Sequence, residues 1–247
     1  MKQESELKFY EKAKNWNFDE FEIVSEKLTD WSLFEIINKL ATKESRILDL
    51  GTGGGEKVIA YYPDCKEILG TDFSPGMIET ANYNLVKSGR QNIRFILMDN
   101  LKMDVPDNYF DIVVARNTIT DPKQIYKCLK KNGYLIIRGV DGDDCYNLKY
   151  LFNGRDTYGN QKPISIIDYE NVIEAGFKDA ELVPIYEREY FKNKELFVKF
   201  LKKVPIINGF NNESVYDEKK IDLYIKENTY DGKIRLLRRY YGITARK

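Results

Sequence analysis

The chain has 247 residues, 43% of them hydrophobic and 32% charged, which is enough to bury one large core without disulfide or metal staples and excludes a disordered or fibrous protein. Its 39 basic and 39 acidic side chains cancel, so no overall field draws it to nucleic acid or anionic lipid. It has no histidine, and that excludes Ser-His-Asp and Cys-His catalysis, HExxH zinc sites and every imidazole general base.

Residues 1–43 are aromatic and read as an N-terminal helical cap, with Trp31, Phe34, Ile37 and Leu40 at helical spacing. Within it Phe9, Tyr10, Trp16 and Phe18 either close over a bound ligand and exclude water or form the plain contact face of a first helix. From residue 46 to 138 short apolar runs alternate with longer amphipathic ones, the pattern of βαβ units and a parallel sheet. Residues 46–50 (RILDL), 67–71 (EILGT), 93–98 (IRFILM), 110–115 (FDIVVA) and 134–138 (YLIIR) read as five strands buried on both faces. Helices are predicted between them at 56–62, 75–88 and 122–131. Ser74-Pro75 and Asp121-Pro122 supply N-caps with proline at the first helical position, and Gly89 and Gly133 stand where the last two of these helices should stop.

Beyond residue 138, 168–175 reads as a helix ended by Gly176, 180–191 as a strand and 234–244 as another. Residues 192–232 separate two strands that would otherwise form a hairpin. Two amphipathic stretches, 194–203 and 217–227, make this segment an inserted helical lid, and so long an insertion is a reasonable place for recognition. Tyr186, Tyr190, Phe191, Phe197 and Phe200 around it read as core packing, with ligand contact the alternative. Lys233, Arg235, Arg238, Arg239, Arg246 and Lys247 form either a local basic patch or, more plainly, the solvated face of a strand. No repeat or linker interrupts the chain, which is therefore expected to be one domain: cap 1–43, core 44–191 and 233–247, lid 192–232.

Cys65, Cys128 and Cys145 are widely spaced without a CxxC pair, which suggests neither a disulfide framework nor a zinc site and fits a reducing, cytoplasmic setting. The first residues are too polar for a signal peptide and no run of about 18 apolar residues offers a membrane span, so a soluble protein is expected.

The most informative segment is the turn at residues 51–55, where a buried strand runs into Gly51-Thr52-Gly53-Gly54-Gly55 and then a helix. The glycines let the main chain bend sharply while a bulky ligand lies almost against it. Dinucleotide-binding proteins use GxGxxG there to meet pyrophosphate. Here the spacing is GxGxG, the third position of GxGxxG is Glu56, and Asp49 precedes the turn, so a cationic ligand suits it better than a diphosphate. S-adenosylmethionine, with its ammonium and sulfonium, is such a ligand.

Asp72 ends the second strand, where a carboxylate can accept from both ribose hydroxyls, and Phe73 then offers a face to adenine. At the end of the third strand Asp99 can accept from the adenine amino group while main-chain N–H groups of Asn100 and Leu101 read the ring. Taken singly, each feature has a plainer reading: a structural turn, a helix cap, an ordinary loop acid. Their joint placement at three successive strand ends favours a site.

ILDLGTGGG, GTDFSPGMIETA, MDNLKMDVPDNYFDIVVARN and LKKNGYLII, spread over residues 46–139, resemble the class I S-adenosylmethionine-dependent methyltransferases. The resemblance implies an α/β, Rossmann-like, doubly wound sheet of seven strands in the order 3-2-1-4-5-7-6 with the last strand antiparallel. It implies that Asp49 with Gly51, Thr52, Gly53 and Gly55 faces the methionine end of the cofactor. Asp72 faces the ribose, Phe73 and Met77 the adenine, and Asp99 with Asn100 the adenine edge. The product is S-adenosyl-L-homocysteine, and no metal is required.

After the fourth strand the chain reads Ala115-Arg116-Asn117-Thr118, which departs from the (N/D)PP(Y/F) pattern of enzymes that methylate exocyclic base amines. Arg116 and Asn117 touch cofactor or acceptor in one reading, Arg116 being counted with the cofactor-binding set, and cap the next helix in the other. The expected reaction is direct displacement onto a small-molecule acceptor bound partly by the lid. Should that acceptor need a base, the carboxylates of Asp141, Asp143 and Asp144 are the group to test, and Asp141, Asn117 and Tyr10 are the candidate catalytic residues. The rival readings are an RNA or other nucleic-acid methyltransferase, a non-catalytic S-adenosylmethionine-binding protein and, further off, a nicotinamide oxidoreductase.

Overall fold

The computed structural model of the protein describes residues 19–152, 162–207, 210–211 and 213–247, so Phe9, Tyr10, Trp16 and Phe18 lie outside the described residues. In chain order the elements are β1 (Val24–Lys27), α1 (Leu33–Leu40), β2 (Arg46–Leu50), α2 (Glu56–Tyr61), β3 (Glu67–Asp72), α3 (Pro75–Ser88) and β4 (Ile93–Leu97). There follow β5 (Phe110–Arg116), α4 (Pro122–Cys128), β6 (Leu129–Val140), α5 (Tyr146–Leu151), α6 (Ile164–Glu174) and β7 (Lys178–Phe191). The last are α7 (Lys194–Lys203), α8 (Val215–Asn228), β8 (Thr229–Tyr230) and β9 (Lys233–Arg246).

The helix ends follow the sequence chemistry. Ser74 caps α3 by accepting from Met77 N, Pro75 occupies the first helical position, and Gly89 ends the helix at φ +69°. Asp121 caps α4 by accepting from the main-chain N–H of Lys123 and Gln124. The expected stop at Gly133 is corrected: α4 ends at Cys128, and Gly133 lies inside β6. Lys130 reaches Asp111 of β5 at 2.8 Å, and the register shifts between Phe110 and Ile112 to take up the extra residues, so this stretch is held to the sheet.

The strands pair in the order β1-β7-β9-β6-β5-β2-β3-β4, with β8 beside β9. Seven of them, β4-β3-β2-β5-β6-β9-β7, follow the expected 3-2-1-4-5-7-6, and β9 runs antiparallel to both β6 and β7. Among the described residues the expected count of seven is corrected to nine. β1 arises in a segment read as helical; its four residues are all exposed, so burial left no alternation to see, and its ladder to β7 is reinforced by Tyr190 Oη donating to Glu26 at 2.8 Å.

One face of the sheet packs Leu48, Val113, Leu135 and Ile243 against α4 and α6. The other packs Ile47, Ile68, Val114 and Ile136 against α1, α2 and α3. On that second face the long β7–β9 ribbon reaches beyond the parallel strands, and its Phe191, Ile234 and Leu236 form a further core with Phe21, Leu148 of α5, α7 and α8. Phe197 stacks on Tyr224 with ring centroids 5.6 Å apart, so the 192–232 helices are welded to the ribbon through their aromatic residues.

The three cysteines are free and buried, and burial pushes the Cys128 thiol up to about 12. Among the described residues no helix is long and apolar enough to cross a membrane. Gly139 of β6 stands directly opposite Tyr241 of β9, and a Cβ there would fall 2.1 Å from the ring. Gly139→Ala is expected to cost about 1–3 kcal/mol through overpacking, seen as a lower urea midpoint at unchanged slope.

Candidate active site

The acidic groups named from sequence gather at the carboxyl ends of β2, β3 and β4. Asp49 lies one residue before the end of β2, is 4% exposed, and accepts from the Tyr62 hydroxyl at the foot of α2. Burial pushes its carboxyl up to about 6, against the opposing pull of the Tyr62 hydrogen bond and the Arg116 charge. The same burial, together with Asp49, raises the Tyr62 hydroxyl.

The turn that follows is left-handed at Gly51 (φ +73°), Gly53 (φ +59°) and Gly55 (φ +75°). A Cβ on Gly51 would fall 2.6 Å from Thr118 Cβ, so both the backbone angle and the space require glycine there. The main-chain N–H groups of Gly51 and Thr52 both donate to Thr71 O at 2.8 Å, which stitches the turn to β3. Thr52 itself is buried.

Asp72 joins the turn to the second strand tip. Its Oδ2 accepts from Gly53 N at 3.0 Å and its Oδ1 from Ser74 N at 2.9 Å, while burial raises its pKa against those two bonds. A third main-chain bond, from Phe73, opposes that rise as well, and the carboxylate keeps lone-pair capacity for a ligand. Phe73 follows it half-buried, and Met77 in the first turn of α3 is buried. Met98 N donates to Asp72 O at 2.9 Å and so brings the β4 tip alongside. There Asp99 Oδ1 accepts from Leu101 N at 2.9 Å, and the Leu101 side chain is exposed.

The Asn100 side chain is held within the fold. Its Nδ2 donates to Thr118 Oγ1 at 3.0 Å and its Oδ1 accepts from Thr71 Oγ1 at 3.3 Å, so the amide braces β3 against the loop after β5.

At the tips of β5 and β6, Arg116 and Arg138 are paired residues of adjacent parallel strands and point to one face, which Asp49 shares because its own partner is Val114. Arg138 reaches Glu187 at 3.2 Å and lies 3.7 Å over the Tyr240 ring. Asn117 is exposed, with φ +53°, and its N–H donates to Arg138 O at 2.8 Å. Asp141 accepts from Asp143 N at 2.9 Å, Asp143 pairs with Arg239 at 3.2 Å, and Asp144 is buried against Arg238. Of the three acids expected as a base group, Asp144 is therefore an internal counter-ion. Tyr62, Thr71, Thr118 and Arg138 were missed in the sequence, because each belongs here through strand register or packing and carries no motif. Tyr10 lies outside the described residues.

A cavity of about 580 Å³ lies elsewhere, between α7 and α8, lined by residues such as Lys199, Phe210 and Glu218. Among the described residues no group of three or more His, Cys, Asp or Glu side chains could hold a metal ion.

Residues 41–177, more than half of the chain, match the family described as methyltransferase domain. An uncharacterized methyltransferase of Bacillus subtilis, YcgJ, is 34% identical over 73 residues, 30% of this chain and 29% of that protein. The matched stretches span roughly a third of the length of this relative and of a ribosomal protein L11 methyltransferase of Alkaliphilus oremlandii, 33% identical over 112 residues. Among solved structures, a putative methyltransferase from Bacillus halodurans superposes with a TM-score of 0.63 at 19% identity, covering 88% of this chain and 99% of that one. Phosphoethanolamine N-methyltransferase 2 of Haemonchus contortus, solved in complex with S-adenosyl-L-methionine, does so with a TM-score of 0.53 at 20% identity, covering 88% of this chain and 52% of that one.

Proposed function

Because the chain belongs to the class I S-adenosylmethionine-dependent methyltransferase family, we propose that it transfers a methyl group from S-adenosyl-L-methionine to a small-molecule acceptor by direct displacement. The observation that carries the cofactor is the tie between the glycine turn and the second strand tip, Gly53 N to Asp72 Oδ2, which joins two of the three acidic strand tips through the glycine bend. That lining is anionic, and it favours a ligand with a cationic amino acid end over a diphosphate.

In this reading Asp49 offers a buried carboxylate to the ammonium, and the main chain at residues 51–55 lies against the amino acid portion. The free lone pairs of Asp72 accept from the ribose hydroxyls, Phe73 and Met77 flank the adenine, and Asp99 Oδ2 takes the adenine amino group. The sulfonium supplies an already activated methyl group, so the chain's own residues have chiefly to orient the acceptor and exclude water. Alignment of that kind contributes about 7–11 kcal/mol of barrier lowering in favourable systems. The helices of 192–232, in this reading a fixed wall over the acceptor, are held by the aromatic core they share with β7 and β9.

Calorimetric titration with S-adenosylhomocysteine at several pH values tests this. An ammonium gains from Asp49 only when that carboxyl has lost its proton, and its pKa before binding is about 6. Affinity is therefore expected to be full above about pH 7 and to fall roughly tenfold per unit as pH drops below that pKa. Asp49→Asn should bind weakly with no such slope. Absence of binding at pH 7.5 would dispose of the cofactor reading, and a flat wild-type profile would remove Asp49 from it.

A further inference from the structure

We infer that the methyl acceptor carries an oxyanion, a carboxylate or a phosphate, held by Arg116 together with Arg138; this rests on the methyltransferase reading above. Like charges at directly paired positions of adjacent strands oppose each other, and a folded protein ordinarily neutralises them. Arg138 is neutralised by Glu187 at 3.2 Å and by the face of Tyr240 at 3.7 Å. The Arg116 guanidinium has no ion pair or hydrogen bond among the described residues. Asp49, the acid that shares its face, acts on it only through space and spends a near lone pair on Tyr62.

The position of this unpaired guanidinium gives the anion its role. Arg116 is half-buried, so its charge is poorly screened yet reachable. On one side of it stands Asp49, proposed above for the amino acid end of the cofactor. On the other side stand Arg138 and then Gly242 of β9, the residue paired with Arg138, against which the Trp31 ring lies so closely that a Cβ would meet it at 2.4 Å. Beyond Tyr240 the same face continues to the buried Arg238 and to the aromatic core under α7 and α8.

An acceptor lying along this row puts its anion on the two guanidiniums, which present planar donor forks suited to carboxylate or phosphate oxygens. Its remaining body lies toward Trp31 and Tyr240 or toward the cofactor. A neutral acceptor would leave the Arg116 guanidinium without an ion-pair partner of its own. Holding the anion also gives Arg116 a part in positioning the acceptor and no part in proton transfer.

The test uses the full chain, with and without saturating S-adenosylhomocysteine, titrated calorimetrically with benzoate and separately with inorganic phosphate. At least one of the two probes is expected to bind the wild type, benzoate pointing to a carboxylate acceptor and phosphate to a phosphorylated one. Arg116→Gln should weaken that probe by about tenfold or more and Arg116→Lys should recover part of the loss, the probe losing clearly more affinity than S-adenosylhomocysteine does in the same variant when both are titrated well above the Asp49 pKa. Arg138→Gln, read in the same way, serves if Arg116→Gln does not fold.

Failure of both probes to bind the wild type, or binding that ignores both substitutions, overturns the inference while leaving the cofactor reading intact. So does an Arg116→Gln variant that loses S-adenosylhomocysteine instead of the probe, because Arg116 would then serve the cofactor carboxylate. An Arg116-dependent probe site in a chain that binds no S-adenosylhomocysteine keeps the anion site and removes the methyltransferase reading.

Discussion

Asp72→Ala is expected to weaken S-adenosylhomocysteine binding by roughly a hundredfold or more while the cooperative fold survives. Two charge-assisted hydrogen bonds to ribose hydroxyls are each worth about 1.5–3 kcal/mol, and a loss of about 2.7 kcal/mol is already a hundredfold in Kd. The carboxylate also holds Gly53 N and Ser74 N, so its removal frees the turn proposed to receive the amino acid portion. Folding itself loses less, because the same carboxyl is penalised by burial and the turn keeps its two bonds to Thr71 O. Gly53→Val reaches the same result by another route, since a β-branched residue at φ +59° must either strain or rearrange the bend. Calorimetry reads the affinity and circular dichroism the fold; wild-type affinity in both variants would take the cofactor away from this bend.

Asp144→Ala is expected to cost about 3–5 kcal/mol of folding free energy, a third or more of what a typical domain possesses. Arg238 is 7% exposed and is held by two carboxylates: Nε reaches Asp144 Oδ1 at 3.0 Å and Oδ2 at 3.2 Å, Nη2 reaches Asp144 Oδ2 at 3.0 Å, and Nη1 reaches Glu189 Oε2 at 2.9 Å. Without Asp144 the guanidinium remains buried with one carboxylate at its far end, and the main-chain N–H of Arg239 loses its acceptor as well. Asp143→Ala, whose pair with Arg239 is exposed, should stay within about 0.5 kcal/mol of the wild type. Urea denaturation separates the two; near-equal midpoints would show that Asp144 is no structural counter-ion and return it to the acids considered as a base.

The parallel half of the sheet was legible because its signals are local. Residues 46–50 and 110–115 are apolar on both faces, and Ser74-Pro75 and Asp121-Pro122 mark helix starts that the structure keeps to the residue. β1 was not legible, since four exposed residues owe their strand conformation to a ladder with β7 far along the chain. Nor was the start of β6 at Leu129, where Asn132-Gly133 resembles a helix stop and only the ties to β5 and β9 say otherwise. α5, at six residues, is shorter than two helical turns and leaves no period to detect.

The same division runs through the candidate site. Asp49, Asp72 and Asp99 could be found because strand ends and glycine spacing lie close in sequence. That Tyr62 holds Asp49, that Asn100 braces Thr71 and Thr118, and that Arg116 stands beside Arg138 depends on packing and on the register between β5 and β6, which no spacing encodes. Asp144 and Arg238 meet across 94 residues of chain, so the acid had looked available when read alone.

The insertion of β9 between β6 and β7 imposes an order of assembly. During synthesis the parallel strands and their helices emerge first and can close early, but β7 and, through it, β1 have no place in the sheet until β9 has left the ribosome. Until then β6 shows a bare edge, and α7 and α8 lack Ile234 and Leu236 beneath them. The nascent protein thus waits, with the core under α7 and α8 incomplete, for the strand that joins its two halves, and slow synthesis across 192–233 prolongs its exposure to edge-to-edge pairing with other copies.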